Sequence, residues 1–150
     1  MLLESATLQT KTGEKRSLTS YPKVVLLYFS AHWCPPCRKF TPLLRDFYEE
    51  VNDENKQVEI VFVSADKTVE EHAKYFSDSH GDWLTVPFEA EELRDQLRSE
   101  FGKKLNSDGE LVRSGIPCLV ALSGSRVLTY DGVADVTTLG AMALEMKWAL

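Results

Sequence analysis

The 150-residue sequence has no apolar run long enough to cross a membrane, no basic cluster and no internal repeat. Its first residues, MLLESATLQT, lack the basic segment and apolar core of a secretory signal peptide. The formal net charge of -6 opposes binding to nucleic acids through phosphate neutralisation. We therefore expect a soluble, non-secreted protein that binds neither membranes nor nucleic acids. The expected location is the cytoplasm, with the nucleus as an alternative.

Cysteine is scarce, with three residues at positions 34, 37 and 118. An odd number does not suit the paired disulfide framework of a small secreted domain, but it suits an intracellular thiol protein. A chain of this length can bury a core without disulfide bonds. We expect residues 1–150 to fold as one domain.

The apolar pattern predicts alternating strands and helices. Continuous apolar runs at 24–29 and 58–66 indicate buried strands, and the three-to-four-residue spacing of apolar side chains after Cys34 indicates a helix. Further helices are predicted at 68–78, 89–102 and 136–150, with loops at 80–88 and 103–115. A strand hairpin is predicted at 116–130 around Gly124, and an N-terminal hairpin at 6–19 around Thr12 and Gly13. This order is typical of an α/β protein with a mixed sheet.

The segment AHWCPPCRKFTP, residues 31–42, places two cysteines where a buried strand gives way to a helix. A thiolate at Cys34 would face unpaired N–H groups and the positive end of the helix dipole, which favour the anion. Cys34 is therefore the predicted nucleophile, and Cys37, one turn further on, the predicted resolving thiol. Pro35 and Pro36 suit the first helical turn and restrain the distance between the sulfurs, but they also remove two N–H donors.

Residues near this pair suggest a binding surface and argue against a metal. Trp33 offers a flat apolar face on which a substrate chain could rest. Pro117 cannot donate a ladder hydrogen bond, and its spacing alone favours an ordinary trans proline at an edge or at the start of a strand. One Cys-x-x-Cys pair supplies two of the four ligands of a structural zinc, so no metal is expected. Cys118 is expected to be a buried packing residue.

The strings YFSAHWCPPCRKFTP, VEIVFVSAD, HGDWLTVPFE and GIPCL resemble the thioredoxin superfamily, and within it the nucleoredoxin and tryparedoxin branch. The resemblance covers residues 23–130. It implies a thioredoxin fold, with a central mixed β-sheet flanked by helices, in which Cys34 attacks a disulfide and Cys37 resolves the mixed disulfide. It also implies that Pro117 is cis and faces the cysteines, against the expectation from spacing alone. The substrate-binding residues expected on this basis are Trp33, Pro35, Pro36, Ile116 and Pro117.

Three features depart from the family pattern. Tyr28 occupies the position, six residues before the nucleophile, where ordinary thioredoxins carry a buried acid. Cys118 follows the proline where the branch usually has another residue type. The polar stretch 102–114 is longer than the usual connection, which alters the surface that a substrate would meet.

The predicted function is that of a thiol-disulfide oxidoreductase acting chiefly as a protein-disulfide reductase. Its partners would be proteins that contain disulfides and an external thiol or reductase that donates electrons. No metal or organic cofactor is implied, and a monomer is expected. The alternative is a redox-sensitive binding module of nucleoredoxin type with little turnover, because both functions need the same surface and the same cysteines.

Overall fold

The structure is a computed structural model that describes residues 3–18 and 22–148. The strands are β1 (Leu8–Gln9), β2 (Lys15–Arg16), β3 (Val24–Ser30), β4 (Val58–Ser64), β5 (Leu84–Thr85), β6 (Lys103–Leu105), β7 (Leu111–Arg113), β8 (Cys118–Ser123) and β9 (Arg126–Thr129). The α-helices are α1 (Pro35–Val51), α2 (Val69–Ser79), α3 (Glu91–Phe101), α4 (Gly132–Leu139) and α5 (Ala143–Met146), with a 3₁₀ turn at Gly140–Met142 between the last two.

Seven strands form one mixed sheet in the order β2-β1-β5-β4-β3-β8-β9. β3 and β4 are parallel and joined by α1, whereas β8 lies antiparallel to β3 and β9 antiparallel to β8. The predicted mixed sheet is confirmed, as is the N-terminal hairpin, in which Leu8 pairs with Arg16. β6 and β7 form a separate two-stranded hairpin.

The central strands are apolar throughout because both faces of the sheet are covered. Along β3, Leu26 and Tyr28 face the core beneath α1, α2 and α4, while Leu27 and Phe29 face the core that includes side chains of α3. This alternation follows from the two-residue period of a strand. Two separate apolar cores therefore lie on opposite faces of the sheet.

Three elements differ from the sequence-based expectations. The predicted loop at 80–88 contains β5, a two-residue strand beside β4 that is too short to show a pattern. The predicted polar loop at 103–115 contains the β6–β7 hairpin, whose side chains are mostly exposed, so that no buried apolar pattern marks its strands. The predicted helix at 136–150 begins earlier, at Gly132, and is interrupted where Gly140 adopts a φ of 56°. Residues 149–150 of that prediction lie outside the described residues.

The ends of three elements meet at one edge of the sheet. β3 and β4 both end there at their carboxyl ends, and the loop before β8 returns to the same edge because β8 is antiparallel to β3. α1 begins at this edge, with four residues between its first residue and the end of β3. None of the helices within residues 3–18 and 22–148 is long and apolar enough to span a membrane.

Candidate active site

Cys34 is the residue that caps the N-terminus of α1. Its backbone is extended (φ -99°, ψ 109°), and its carbonyl oxygen accepts the first helical hydrogen bond from Arg38 N–H at 3.1 Å. A second bond, from Cys34 N–H to Ala31 O at 3.2 Å, closes the turn after β3. The strand-to-helix junction predicted from sequence therefore places the Cys34 side chain at the helix mouth.

The Cys37 amide is the first N–H of α1 available to a ligand, because Pro35 and Pro36 occupy the first two helical positions. It donates to Cys34 Sγ at 3.3 Å. The two prolines thus remove two donors, but the next donor points at the sulfur. Both cysteines are free thiols, and this contact brings the Cys34 sulfur against the backbone of Cys37.

The two thiols differ in burial. Cys37 is fully buried at 0% exposure, whereas Cys34 retains 5%. Burial raises the pKa of the Cys37 thiol well above its ordinary value, and a hydrogen bond with the Cys34 side chain raises this pKa further. Cys37 therefore holds its proton in the reduced protein, next to the sulfur of Cys34.

Beneath Cys37 lies a buried network of four hydroxyl groups. The Tyr28 and Tyr75 hydroxyls each lie 2.7 Å from Thr41 Oγ1, and the Ser30 hydroxyl lies 2.6 Å from that of Tyr75. Thr41 also donates to Cys37 O at 2.9 Å. Burial raises the pKa values of both tyrosines, so these groups remain neutral hydrogen-bonding partners. Tyr28, six residues before Cys34, thus belongs to a neutral polar network.

The Ile116–Pro117 peptide bond is cis, which confirms the expectation from the family resemblance and not the one from spacing. Cys34 Sγ lies 3.7 Å from Ile116 O. The Ile116 side chain packs against the small apolar cluster formed by Ala31, Cys34 and Cys37. Residues that are 82 positions apart in the sequence therefore meet at the Cys34 sulfur.

Two hydrogen bonds hold the segment before Cys34. The Trp33 indole N–H donates to Ala65 O at 3.0 Å, and the His32 backbone N–H donates to Asp66 Oδ1 at 2.7 Å. Trp33 remains 48% exposed, with Lys67 Nζ 5.8 Å from the centre of its ring. The indole is therefore fixed at its N–H edge and about half exposed to solvent.

Cys118 lies on the other face of the sheet. Its side chain is 3% exposed and belongs to the core with Phe29 and Val120, whereas the cysteine pair lies at the end of α1, which packs on the opposite core. Burial raises the pKa of the Cys118 thiol. The predicted inward orientation of this side chain is confirmed.

The structure brings Cys34, Cys37 and Ile116 together in one small cluster. Trp33 and Pro117 are their neighbours in the chain, and Pro35 and Pro36 are exposed beside the cysteines. The sequence-based predictions missed Asp66, Thr41 and Tyr75, because their partners lie far along the chain and no local motif marks them. Among residues 3–18 and 22–148, no group of three or more His, Cys, Asp or Glu side chains could hold a metal ion.

Comparisons with known proteins agree with this geometry. The family model described as Thioredoxin-like matches residues 21–126. Mouse (Mus musculus) nucleoredoxin is 38% identical over 111 residues, which are 73% of this chain and 23% of that protein. A thioredoxin structure from Wuchereria bancrofti has 42% identity and a TM-score of 0.77, covering 90% of this chain and 88% of the other. Tryparedoxin from Trypanosoma brucei has 30% identity and a TM-score of 0.78, covering 97% and 92%.

A mixed sheet that places a Cys-Pro-Pro-Cys helix opposite a cis proline defines the thioredoxin class of proteins. This chain belongs to the thioredoxin-like family, in the branch that includes nucleoredoxins and tryparedoxins. It spans about a quarter of the length of the curated nucleoredoxins that it matches.

Proposed function

We propose that this protein is a thiol-disulfide oxidoreductase that acts chiefly as a protein-disulfide reductase. Cys34 is the nucleophile and Cys37 the resolving thiol. The observation that supports this most strongly is the position of the Cys34 sulfur, 3.3 Å from the Cys37 N–H and 3.7 Å from Ile116 O. One side of the sulfur meets a donor that favours its anion, and the other meets the loop of the cis proline.

The reaction consists of two exchange steps. The Cys34 thiolate attacks a substrate sulfur, so that a mixed disulfide forms, the substrate S–S bond breaks and the departing thiolate takes a proton. Cys37 then loses its proton and attacks Cys34, which releases the second substrate thiol and leaves a Cys34–Cys37 disulfide. An external thiol or reductase supplies the two electrons that return this disulfide to the dithiol.

The raised pKa of Cys37 supports this order of events. A buried thiol with a raised pKa is a poor attacking group at neutral pH, and we assign the first attack to Cys34, whose sulfur accepts the Cys37 N–H. The proton of Cys37 must leave before the second step can occur. The substrate thiolate that leaves in the first step is a base that can accept the Cys37 proton.

The substrate chain is proposed to bind across Trp33, Pro35, Pro36, Ile116 and Pro117. Trp33 offers an exposed apolar face, and the backbone at Ile116 borders the Cys34 sulfur. An extended substrate segment beside Ile116 could pair with this backbone while its disulfide reaches Cys34. We propose disulfide-containing proteins as substrates, one folded domain over residues 1–150 and action as a monomer.

Reduction of insulin disulfides in the presence of dithiothreitol tests the proposal. We expect turnover well above the rate with dithiothreitol alone, and its loss in the Cys34→Ser variant. Cys118→Ser is the matched control, because it also removes one buried thiol but on the other face of the sheet. Turnover that survives in Cys34→Ser would contradict the proposal. Slow turnover with retained capture of a protein partner would instead support a redox-sensitive binding module.

A further inference from the structure

Three arginines line one cavity beside the candidate active site. Arg94 and Arg98 belong to α3 and Arg113 to β7, and the cavity between them has a volume of about 180 Å³. Phe29 and Val63 form its apolar floor. Such a concentration of positive charge is unexpected in a chain with a formal net charge of -6.

Within residues 3–18 and 22–148, the hydrogen bonds of the Arg94 and Arg98 guanidinium groups go to backbone carbonyls. Arg94 donates to Phe88 O at 2.9 Å and to Ser64 O at 3.4 Å, and Arg98 donates to Ser114 O at 2.9 Å. Arg98 Nε is buried without any hydrogen-bond partner among the described residues. A guanidinium has five N–H donors, so most of the donors around this cavity are available.

The carboxylates that also line the cavity do not neutralise these arginines. Asp66 accepts hydrogen bonds from the His32 N–H and the Ser64 hydroxyl, each at 2.7 Å. Asp95 is exposed. Neither forms an ion pair with an arginine within the part of the chain that the structure describes. Burial, and to a smaller extent repulsion from Arg113, lowers the pKa of Arg98. This direction is expected for a guanidinium that has no anion beside it.

The cavity adjoins the cysteine pair. Ala65 lines the cavity and also packs against the cluster that contains Cys34 and Cys37. The Ser114 carbonyl that Arg98 holds lies two residues before Ile116, whose own carbonyl contacts Cys34 Sγ. An anionic group in the cavity would therefore lie close to a disulfide that reaches Cys34.

We propose that Arg94, Arg98 and Arg113 form a carboxylate-binding subsite for the disulfide substrate, selecting substrates with an acidic group near the reacting sulfur. This inference rests on the proposed function and names the substrate class for the same site. Planar guanidinium groups bind carboxylates through paired hydrogen bonds, which fix orientation as well as charge. The volume suffices for a carboxylate side chain and some water, since one liquid water occupies about 30 Å³.

The hairpin β6–β7 is what completes this subsite. Arg113 lies on β7, in the polar stretch that is longer than usual for the family, and pairs in register with Lys103. Without this hairpin the cavity would keep the two arginines of α3 but lose the third. The hairpin thus supplies one of the three arginines that would select an acidic substrate.

The proposal is tested with two disulfide-bridged peptides. They differ at one position beside the half-cystine, which is Glu in one peptide and Gln in the other. We expect the wild-type protein to reduce the Glu peptide with a kcat/KM about fivefold higher than the Gln peptide, a ratio typical of one partly exposed charge pair. The ratio should fall to about one in Arg98→Gln/Arg113→Gln, and it should shrink at high salt because screening weakens the attraction. Oxidised glutathione, which also carries carboxylates, forms a second arm.

Arg126→Gln is the matched control, because Arg126 is also an exposed strand arginine but lies on the edge strand β9. This variant should keep the wild-type ratio. Arg113→Gln alone, at an exposed position, keeps the test valid if loss of Arg98 prevents folding. It should reduce the ratio to between the wild-type value and one.

The outcomes separate this proposal from the proposed function. Equal rates on the Glu and Gln peptides, with oxidised glutathione unaffected by the arginine variants, would overturn the subsite and leave the reductase intact. If the arginine variants slow the reduction of oxidised glutathione but not of the peptides, the subsite binds the carboxylate of a small disulfide substrate rather than that of a protein. If neither peptide is reduced, the subsite can still be tested by calorimetric titration of the protein with a Glu peptide in which serine replaces cysteine. Binding that is lost in the arginine variants supports the subsite, and no binding to the wild type overturns it.

Discussion

At the scale of single residues, each cysteine has a different environment. Cys34 caps a helix and accepts a backbone hydrogen bond, Cys37 is buried against a neutral hydroxyl network, and Cys118 lies in the core on the far face of the sheet. The Cys-Pro-Pro-Cys spacing alone predicts the first two positions. The hydroxyl network could not be predicted, because Ser30, Thr41 and Tyr75 come from three separate elements and meet only after folding.

Tyr28→Phe tests whether the network takes part in proton transfer. Burial raises the pKa of Tyr28, so its hydroxyl is a poor base at neutral pH, and Thr41 still donates to Cys37 O without it. We expect insulin reduction to stay within a few fold of the wild type. The loss of buried hydrogen bonds should lower the free energy of unfolding by about 1–2 kcal/mol. A hundredfold loss of turnover in a folded variant would show that the Tyr28 hydroxyl moves a proton.

Cys118→Ser tests whether the third cysteine is a packing residue. A hydroxyl in this apolar core should cost about 1–3 kcal/mol in the free energy of unfolding while turnover stays close to the wild-type value. Cα separation and Cβ direction both limit disulfide formation, and the Cys118 side chain packs in the core with Phe29 and Val120 rather than in the cluster that contains Cys34 and Cys37. Mass spectrometry of the oxidised protein should find no major Cys118 disulfide. A linkage from Cys118 to Cys34 or Cys37 would make it a redox centre.

At the scale of elements, apolar pattern and length decided what could be predicted. β3, β4 and β8 are apolar runs buried on both faces, and α1 presents an apolar stripe, so their sequences indicate them directly. β5 has two residues, too few for a pattern. The β6–β7 hairpin lies outside the main sheet and its side chains are mostly exposed, so no buried apolar pattern marks it, and its contribution to the arginine cavity depends on contacts with α3.

The junction between α4 and β8 yields a prediction about a single glycine. A Cβ on Gly132 would lie 2.5 Å from Leu119 O and 2.9 Å from Leu119 Cβ, so the helix could not approach the strand as closely. We expect Gly132→Ala to lower the free energy of unfolding by about 1–3 kcal/mol in urea titrations. Gly115→Ala is the control, since among the described residues no heavy atom other than those of Gly115 and its two chain neighbours lies within 4 Å of its Cβ position. Equal stabilities of the two variants would contradict this close packing.

At the scale of the whole molecule, two buried histidines link stability to pH. Burial lowers the pKa of His72 to about 4, and it also lowers the pKa of His80 well below its ordinary value. The Trp83 indole donates to His80 Nδ1 at 3.0 Å, so the proton of the neutral ring is on Nε2. Both rings lie in the core around Phe62, where a charge would be poorly solvated.

The free energy of unfolding should therefore fall as the pH drops below about 6.5, because the unfolded chain takes up protons that the native state does not. Each histidine contributes at most about 1.4 kcal/mol per pH unit, in a window that for His72 reaches down to pH about 4. Burial raises the pKa of Asp66, which partly offsets the loss at the acid end. Urea titrations between pH 7.5 and 4.5 measure the slope. The slope should be shallower in the His72→Gln variant. An unchanged slope would contradict the conclusion that His72 links stability to pH.

The identity of the attacking sulfur is tested most directly by trapping the mixed disulfide. Cys37→Ser removes the resolving thiol, so a disulfide substrate should accumulate covalently on the protein, and peptide mapping by mass spectrometry should place it on Cys34. Cys34→Ser should accumulate no adduct, because the pKa of the buried Cys37 thiol is raised. An adduct on Cys37 or Cys118, or none on Cys34 in the Cys37→Ser variant, would contradict the assignment of Cys34 as the nucleophile.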